Sequence, residues 1–309
     1  MSYQTLRPPH HETLTVRGLR HRVTWWGERT ASPIVLLHGF QDCGATWQFL
    51  ADRLPADWSL AAPDWRGFGH TDRAAEGYWF PDYFADLEAL LQMLVPDEPA
   101  RIVGHSMGAN IAQIWGGIRP QRLAWLVSLE GFGLPRTRPQ EAPARYARWL
   151  DELPQPPRAG RYPSVAQLAR FLRAKNTRLT PEHAEFIAAA WTRPAATPSG
   201  TTDIELLFDP RHRLVNPVLY RREEAAACWE RIQAPVLLVR GDGGDDSRSS
   251  AMRAAADDTA AHIRNHEIVV VPGAGHMLHH EEPGILAQHI VEFERACRGR
   301  LRAEPPPIA

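Results

Sequence analysis

"RIVGHSMGANIAQIWGGI", residues 101–118, joins an apolar run that stops at glycine, a serine between two glycines, and a helical pattern. A strand that turns sharply into a helix at Ser106 is the setting of a nucleophile elbow, in which the side chain is held above the sheet. The glycines fit that turn. At Gly104 and Gly108 neighbouring backbones approach too closely for a Cβ. The helix start adds an unpaired N–H and a positive dipole end where negative charge would develop. The alternative is a serine that only N-caps the helix over 107–118. The pattern G-x-S-x-G cannot separate the two, so the rest of the chain must.

Outward from this stretch, "LTVRGLRHRVTWWGE" (14–28) alternates apolar and polar residues about Gly18, which predicts an antiparallel hairpin at a sheet edge. Short apolar runs follow at 33–39, 60–64, 101–106, 123–130, 235–241 and 267–273, as expected of strands buried on both faces. Helical patterns at 45–54, 80–95, 107–118 and 282–297 alternate with them. This predicts an α/β fold with a mostly parallel, doubly wound sheet. Residues 133–231 break the rhythm with no good strand run and four helical ones, and read as a helical cap inserted between the sixth and seventh strands. The expected division is a core of 1–132 and 232–301, a cap of 133–231 and a flexible tail of 302–309.

The 309 residues, 44% hydrophobic and 23% charged, can bury a sizeable core. A formal charge of -1 and the absence of any basic run exclude a long-range field for nucleic acid or an anionic membrane. Three cysteines at unrelated spacings suggest neither a disulfide framework nor a metal knuckle, and favour a reducing compartment. With neither a leader pattern nor a long apolar stretch, the expectation is a cytoplasmic protein, monomer or homodimer, with no membrane partner.

A serine hydroxyl is a weak nucleophile and needs a base. His276, in "VVVPGAGHMLHHEEP", follows the last strand run and precedes the last helix, where it can reach over the carboxyl ends of the strands. His279 and His280 are its rivals, read otherwise as polar residues of the helix start. Their H-x-x-H-H spacing matches no recognised zinc signature, so no metal and no cofactor is expected.

With "LLHGFQD" (36–42), "PDWRGFGHTD" (63–72), "VGHSMG" (103–108) and "GAGHMLHHEEP" (273–283) in this order, the chain resembles the α/β-hydrolase superfamily over most of its length. The resemblance implies the α/β-hydrolase fold. It also implies an oxyanion hole from the backbone N–H groups of Phe40 and Met107, with a side-chain contact from Gln41. Asp64, Arg66 and Asp72 are expected to brace their loop.

The acid is the open point. The family usually places it after the strand that follows the cap, where Asp242, Asp245 and Asp246 stand and Asp245 lies nearest the usual offset. Such a run among glycines also resembles a solvated turn. The other choice is Glu130, just before the cap, a position that resembles the acid of some haloalkane dehalogenases and coelenterazine luciferases. A carboxylate at the mouth of a buried strand needs a partner, and a histidine N–H is one. The reading favours Glu130 over Asp245.

Displacement at saturated carbon by this fold uses a carboxylate nucleophile, whereas a serine would form a dead-end ether. Ser106 therefore points to acyl chemistry: a serine hydrolase of small to medium carboxylic esters, or a lactonase or C–C bond hydrolase with the same residues. The reading from another class is a ligand receptor or scaffold that keeps the fold. Met277 and Leu278 beside the base, and Trp149, Phe171, Trp191, Phe208 and Tyr220 in the cap, are candidates to line an apolar pocket.

Overall fold

The hairpin of β1 (His10–Val16) and β2 (Leu19–Trp26) is followed by β3 (Ile34–Leu37), β4 (Leu60–Pro63), β5 (Ala100–His105) and β6 (Leu123–Leu129). Three short strands, β7 (Arg161–Tyr162), β8 (Thr192–Ala196) and β9 (Thr202–Leu206), precede the last two, β10 (Val236–Gly241) and β11 (His266–Val271). The computed structural model describes residues 3–196, 202–243 and 246–303. Its large sheet has the order β1-β2-β4-β3-β5-β6-β10-β11. Pairing is antiparallel at β1–β2 and β2–β4 and parallel from β4 to β11.

The helices are α1 (Gln48–Ala51), α2 (Phe80–Leu94), α3 (Met107–Ile118), α4 (Ala142–Glu152), α5 (Val165–Lys175), α6 (Pro181–Ala190), α7 (Arg222–Trp229), α8 (Asp246–Ala260), α9 (Leu278–Glu281) and α10 (Pro283–Ala303). Both faces of the sheet's centre are covered, which is why β3, β4 and β6 are almost wholly apolar and buried. Along β3, Val35 and Leu37 join one core cluster with Ile102, Ile111 and Leu126. Ile34 and Leu36 point the other way, to a second cluster with Val103, Val127 and Ile290.

After β3 the chain pairs β4 on one side and then crosses to place β5 on the other. That reversal opens a crevice at the carboxyl ends of β3 and β5, where open α/β sheets bind ligands. The loop after β3 carries Phe40, Gln41 and Asp42, and the turn after β5 carries Ser106.

Two sequence expectations are corrected, and one helix is added. Residues 133–231 hold α4 to α7 but also a three-stranded antiparallel sheet, β7-β9-β8. β7 and β8 are half-buried to exposed and β8 contains Pro194, and in β9 only Ile204 and Leu206 pack on the core, too short an alternation to mark a strand; Pro194 is tolerated because β8 is an edge. Helix α8 went unread because "DSRSSAMRAAADDTA" has no apolar period. Helix α10 continues through Arg302 and Ala303, and the remainder of the expected tail lies outside the described residues. Among the described residues no helix is long and apolar enough to cross a membrane.

Candidate active site

Ser106 sits at the junction of β5 and α3 with φ 49° and ψ -110°. Its N–H donates to the Leu129 carbonyl at 2.8 Å, and its own carbonyl accepts from Asn110 N–H at 3.0 Å, so the turn is pinned at both ends. A Cβ at Gly104 would stand 2.7 Å from Ala109 Cα, and one at Gly108 would stand 2.7 Å from the His38 carbonyl oxygen. Neither contact is tolerable, which accounts for both glycines. The Ser106 side chain makes no capping bond to α3. Its Oγ lies instead 3.1 Å from His276 Nε2.

His276 comes from the loop between β11 and α9, and its Nδ1 lies 3.2 Å from Glu130 Oε2. Glu130 follows β6 with φ 53° and a side chain only 4% exposed. Its other oxygen accepts the Gly241 N–H at 2.8 Å, so each carboxylate oxygen faces a donor and the desolvation of the charge is offset. Asp242, on the competing loop, instead accepts the Gly273 N–H at 2.6 Å. Asp245 lies outside the described residues. Among the described residues, non-glycine positive φ occurs at Arg17, Gln41, Ser106 and Glu130. Three of those four surround this constellation, as expected where local strain, about 1–3 kcal/mol per residue, is held by surrounding structure.

Asp42, which the sequence reading did not single out, is the centre of a buried polar network. Its Oδ1 accepts from Cys43 N–H at 2.9 Å, Thr46 Oγ1 at 2.7 Å and, from the end of α6, Trp191 Nε1 at 2.8 Å. Its Oδ2 faces His279 Nε2 at 3.3 Å and His280 Nε2 at 3.6 Å. Burial alone raises the Asp42 carboxyl; attraction to His280 and His279 outweighs it and holds the group well below the usual carboxylate range. His105, packed against the rings of His276 and His279, reaches the His276 carbonyl through Nε2 at 2.8 Å. Burial pushes His105 well below the ordinary histidine value, which keeps it neutral. Asp42, His105 and His279 bring one ligand-type atom each within 4.8 Å of one another. His279 Nε2 faces Asp42 and His105 Nε2 faces the His276 carbonyl, so the cluster braces the base loop, while His105 Nδ1 and His279 Nδ1 are buried without a partner among the described residues.

The description "alpha/beta hydrolase fold" belongs to the family model that matches residues 32–283. The chain is a member of the alpha/beta hydrolase family. A stretch of 145 residues is 32% identical to a serine hydrolase-like protein of Danio rerio, and the match covers 43% of this chain and less than half, 44%, of that relative. Over 283 residues, 86% of this chain and 91% of the other, it is 29% identical to a 3-hydroxybutyrate-oligomer hydrolase of Cupriavidus necator. The thioesterase domain from the curacin biosynthetic pathway superposes with a TM-score of 0.78 at 25% identity, covering 92% of this chain and 99% of that domain.

In this alpha/beta hydrolase one cavity opens on the Ser106 turn and a second borders the loops of Gln41 and Met277. The larger, about 560 Å³, is lined by Ser106, Met107, Trp79, Trp149 and Tyr220. The smaller, about 250 Å³, is lined by Gln41, Phe171, Trp191, Phe208 and Met277. Phe40, 47% exposed, lines both. Leu278 is a correction: it is fully buried in the core with Leu286 and Ile290, because it opens α9 facing the sheet. His279 and His280 are buried as well, and their place is the Asp42 network. Asp64 accepts from Gly44 N–H at 2.6 Å and His70 N–H at 2.8 Å, Arg66 pairs with Asp86, and Asp72 with Arg20.

Proposed function

We propose that this alpha/beta hydrolase is a serine hydrolase that cleaves small to medium carboxylic esters through an acyl-enzyme. The observation that carries the reading is the continuous line from Ser106 Oγ to His276 Nε2, 3.1 Å, and from His276 Nδ1 to Glu130 Oε2, 3.2 Å. Ser106 Oγ attacks the ester carbonyl while His276 takes its proton. Glu130 holds the imidazole in the orientation that points Nε2 at the hydroxyl, and stabilises the imidazolium. The backbone N–H groups of Phe40 and Met107 receive the oxyanion, a contribution of about 10²–10³ in kcat per donor in comparable sites. Collapse expels the alcohol with the proton from His276. Water, deprotonated by the same histidine, then attacks the acyl-Ser106 ester and releases the acid.

Two further supports come from the identity of the nucleophile and from the cavity beside it. A serine nucleophile fits acyl transfer and not displacement at saturated carbon, and the cavity at Ser106 has aromatic walls suited to an apolar ester. Turnover of a series of p-nitrophenyl esters of rising chain length, run beside aliphatic lactones, tests the reading. Ester hydrolysis that is lost in Ser106→Ala is expected. Faster turnover of lactones than of every ester would replace the esterase reading with the lactonase one.

A further inference from the structure

The triad leaves the smaller cavity and one arginine unused. Arg211 and Arg213 stand on one short turn, Pro210–Arg213, and are treated differently by their surroundings. Arg211 pairs with the Asp209 carboxylate at 2.6 Å and donates to the Ala74 and Ala75 carbonyls at 2.7 and 3.1 Å. Arg213 lies with its guanidinium 4.7 Å from the centre of the Phe208 ring, at the wall of the smaller cavity. Among the described residues it has neither a carboxylate nor a hydrogen-bond partner.

The cavity's other polar groups leave this charge uncompensated. Its one lining carboxylate, Asp42, has both oxygens directed to the donors of its own network. The Gln41 amide, on the same wall, has no hydrogen-bond partner among the described residues. The larger cavity differs in sign: Glu76 lines it, and its arginine, Arg211, is already paired with Asp209. Phe40 lines both compartments, and the smaller one is bordered by Gln41 and Met277, the neighbours of Phe40 and His276. An ester lying across the Ser106 turn therefore meets a neutral-to-acidic aromatic side and a cationic apolar side.

We propose that the smaller cavity binds one arm of the substrate, an apolar chain ending in a carboxylate, with Arg213 pairing to the carboxylate and Gln41 donating to it. Phe171, Leu172 and Leu206 hold the chain, and the neutral arm lies in the larger cavity. An arginine fork matches a carboxylate in a way an ammonium does not. The assignment deepens the ester-hydrolase reading and rests on it only for which bond is cut.

The test separates the two. Ser106→Ala protein, which cannot turn ester over, is titrated calorimetrically with monomethyl adipate and with dimethyl adipate, and again after adding Arg213→Gln or Arg213→Lys. Tighter binding of the monoester is expected. The monoester-to-diester affinity ratio falls at least fivefold with Arg213→Gln and less with Arg213→Lys. A ratio unchanged by Arg213→Gln, or no preference for the monoester at the outset, overturns the proposal. Failure of the wild-type protein to hydrolyse any ester overturns the hydrolase reading instead, and leaves the binding ratio to judge the compartment.

Discussion

At Ser106 the backbone is held at φ 49° by hydrogen bonds on both sides, and the side chain is free of the helix it caps. Glu130 is held in a similar region and shares its two oxygens between Gly241 N–H and His276 Nδ1. Changing Glu130 to Gln keeps the shape but presents an amide where the imidazole N–H needs an anion. The expected result is a fall in kcat of about 10²-fold or more. Asp245→Asn is expected to stay much closer to wild type. Steady-state kinetics on both variants decides, and equal losses contradict the assignment. The juxtaposition of Ser106 and His276 was legible because each lies at a strand end between apolar runs. Glu130 and Asp245 could not be separated so firmly, since sequence order places both at carboxyl ends of neighbouring strands. Asp42 was not legible: "LLHGFQD" draws the eye to Phe40 and Gln41, and two of the partners of Asp42 lie 149 and 237 positions away.

Between elements, the Trp191 indole at the end of α6 donates to Asp42 in the loop after β3 and ties the inserted segment to the site. Trp191→Phe keeps the ring packing and removes one donor from a buried carboxylate. A loss of about 1.5–3 kcal/mol is expected, the scale of a hydrogen bond to a charged group. Urea unfolding measures it, and no change in midpoint would show that the bond contributes nothing. The same segment marks where sequence patterning fails. Its helices are legible from their apolar spacing, whereas β8 and β9 are held by antiparallel pairing and by the exposed Arg193–Glu205 contact, neither of which leaves a hydrophobic period.

Across the whole molecule, burial lowers the proton affinity of His11, His21, His38, His105 and His183, and pushes His212 down to about 3. These groups stay neutral when folded but take protons near pH 6.5 when unfolded. The unfolded state then binds more protons, so stability rises with pH and is lost as pH falls below about 6.5. Carboxyls held low by their partners, Asp42 and Asp209, add to the loss only below about pH 4. Thermal midpoints between pH 8 and pH 5 are expected to fall on the acid side, and a flat profile would contradict this. The mostly parallel sheet was legible because its buried strands are apolar runs; its strand order and the cluster of neutral histidines were not, because pairing and burial are properties of the folded chain.

The central claim is that Ser106 is the nucleophile. A fluorophosphonate probe with peptide mapping by mass spectrometry tests it directly: the account predicts an adduct on Ser106 that is absent in Ser106→Ala and strongly slowed in His276→Ala, and labelling that persists in Ser106→Ala would contradict it.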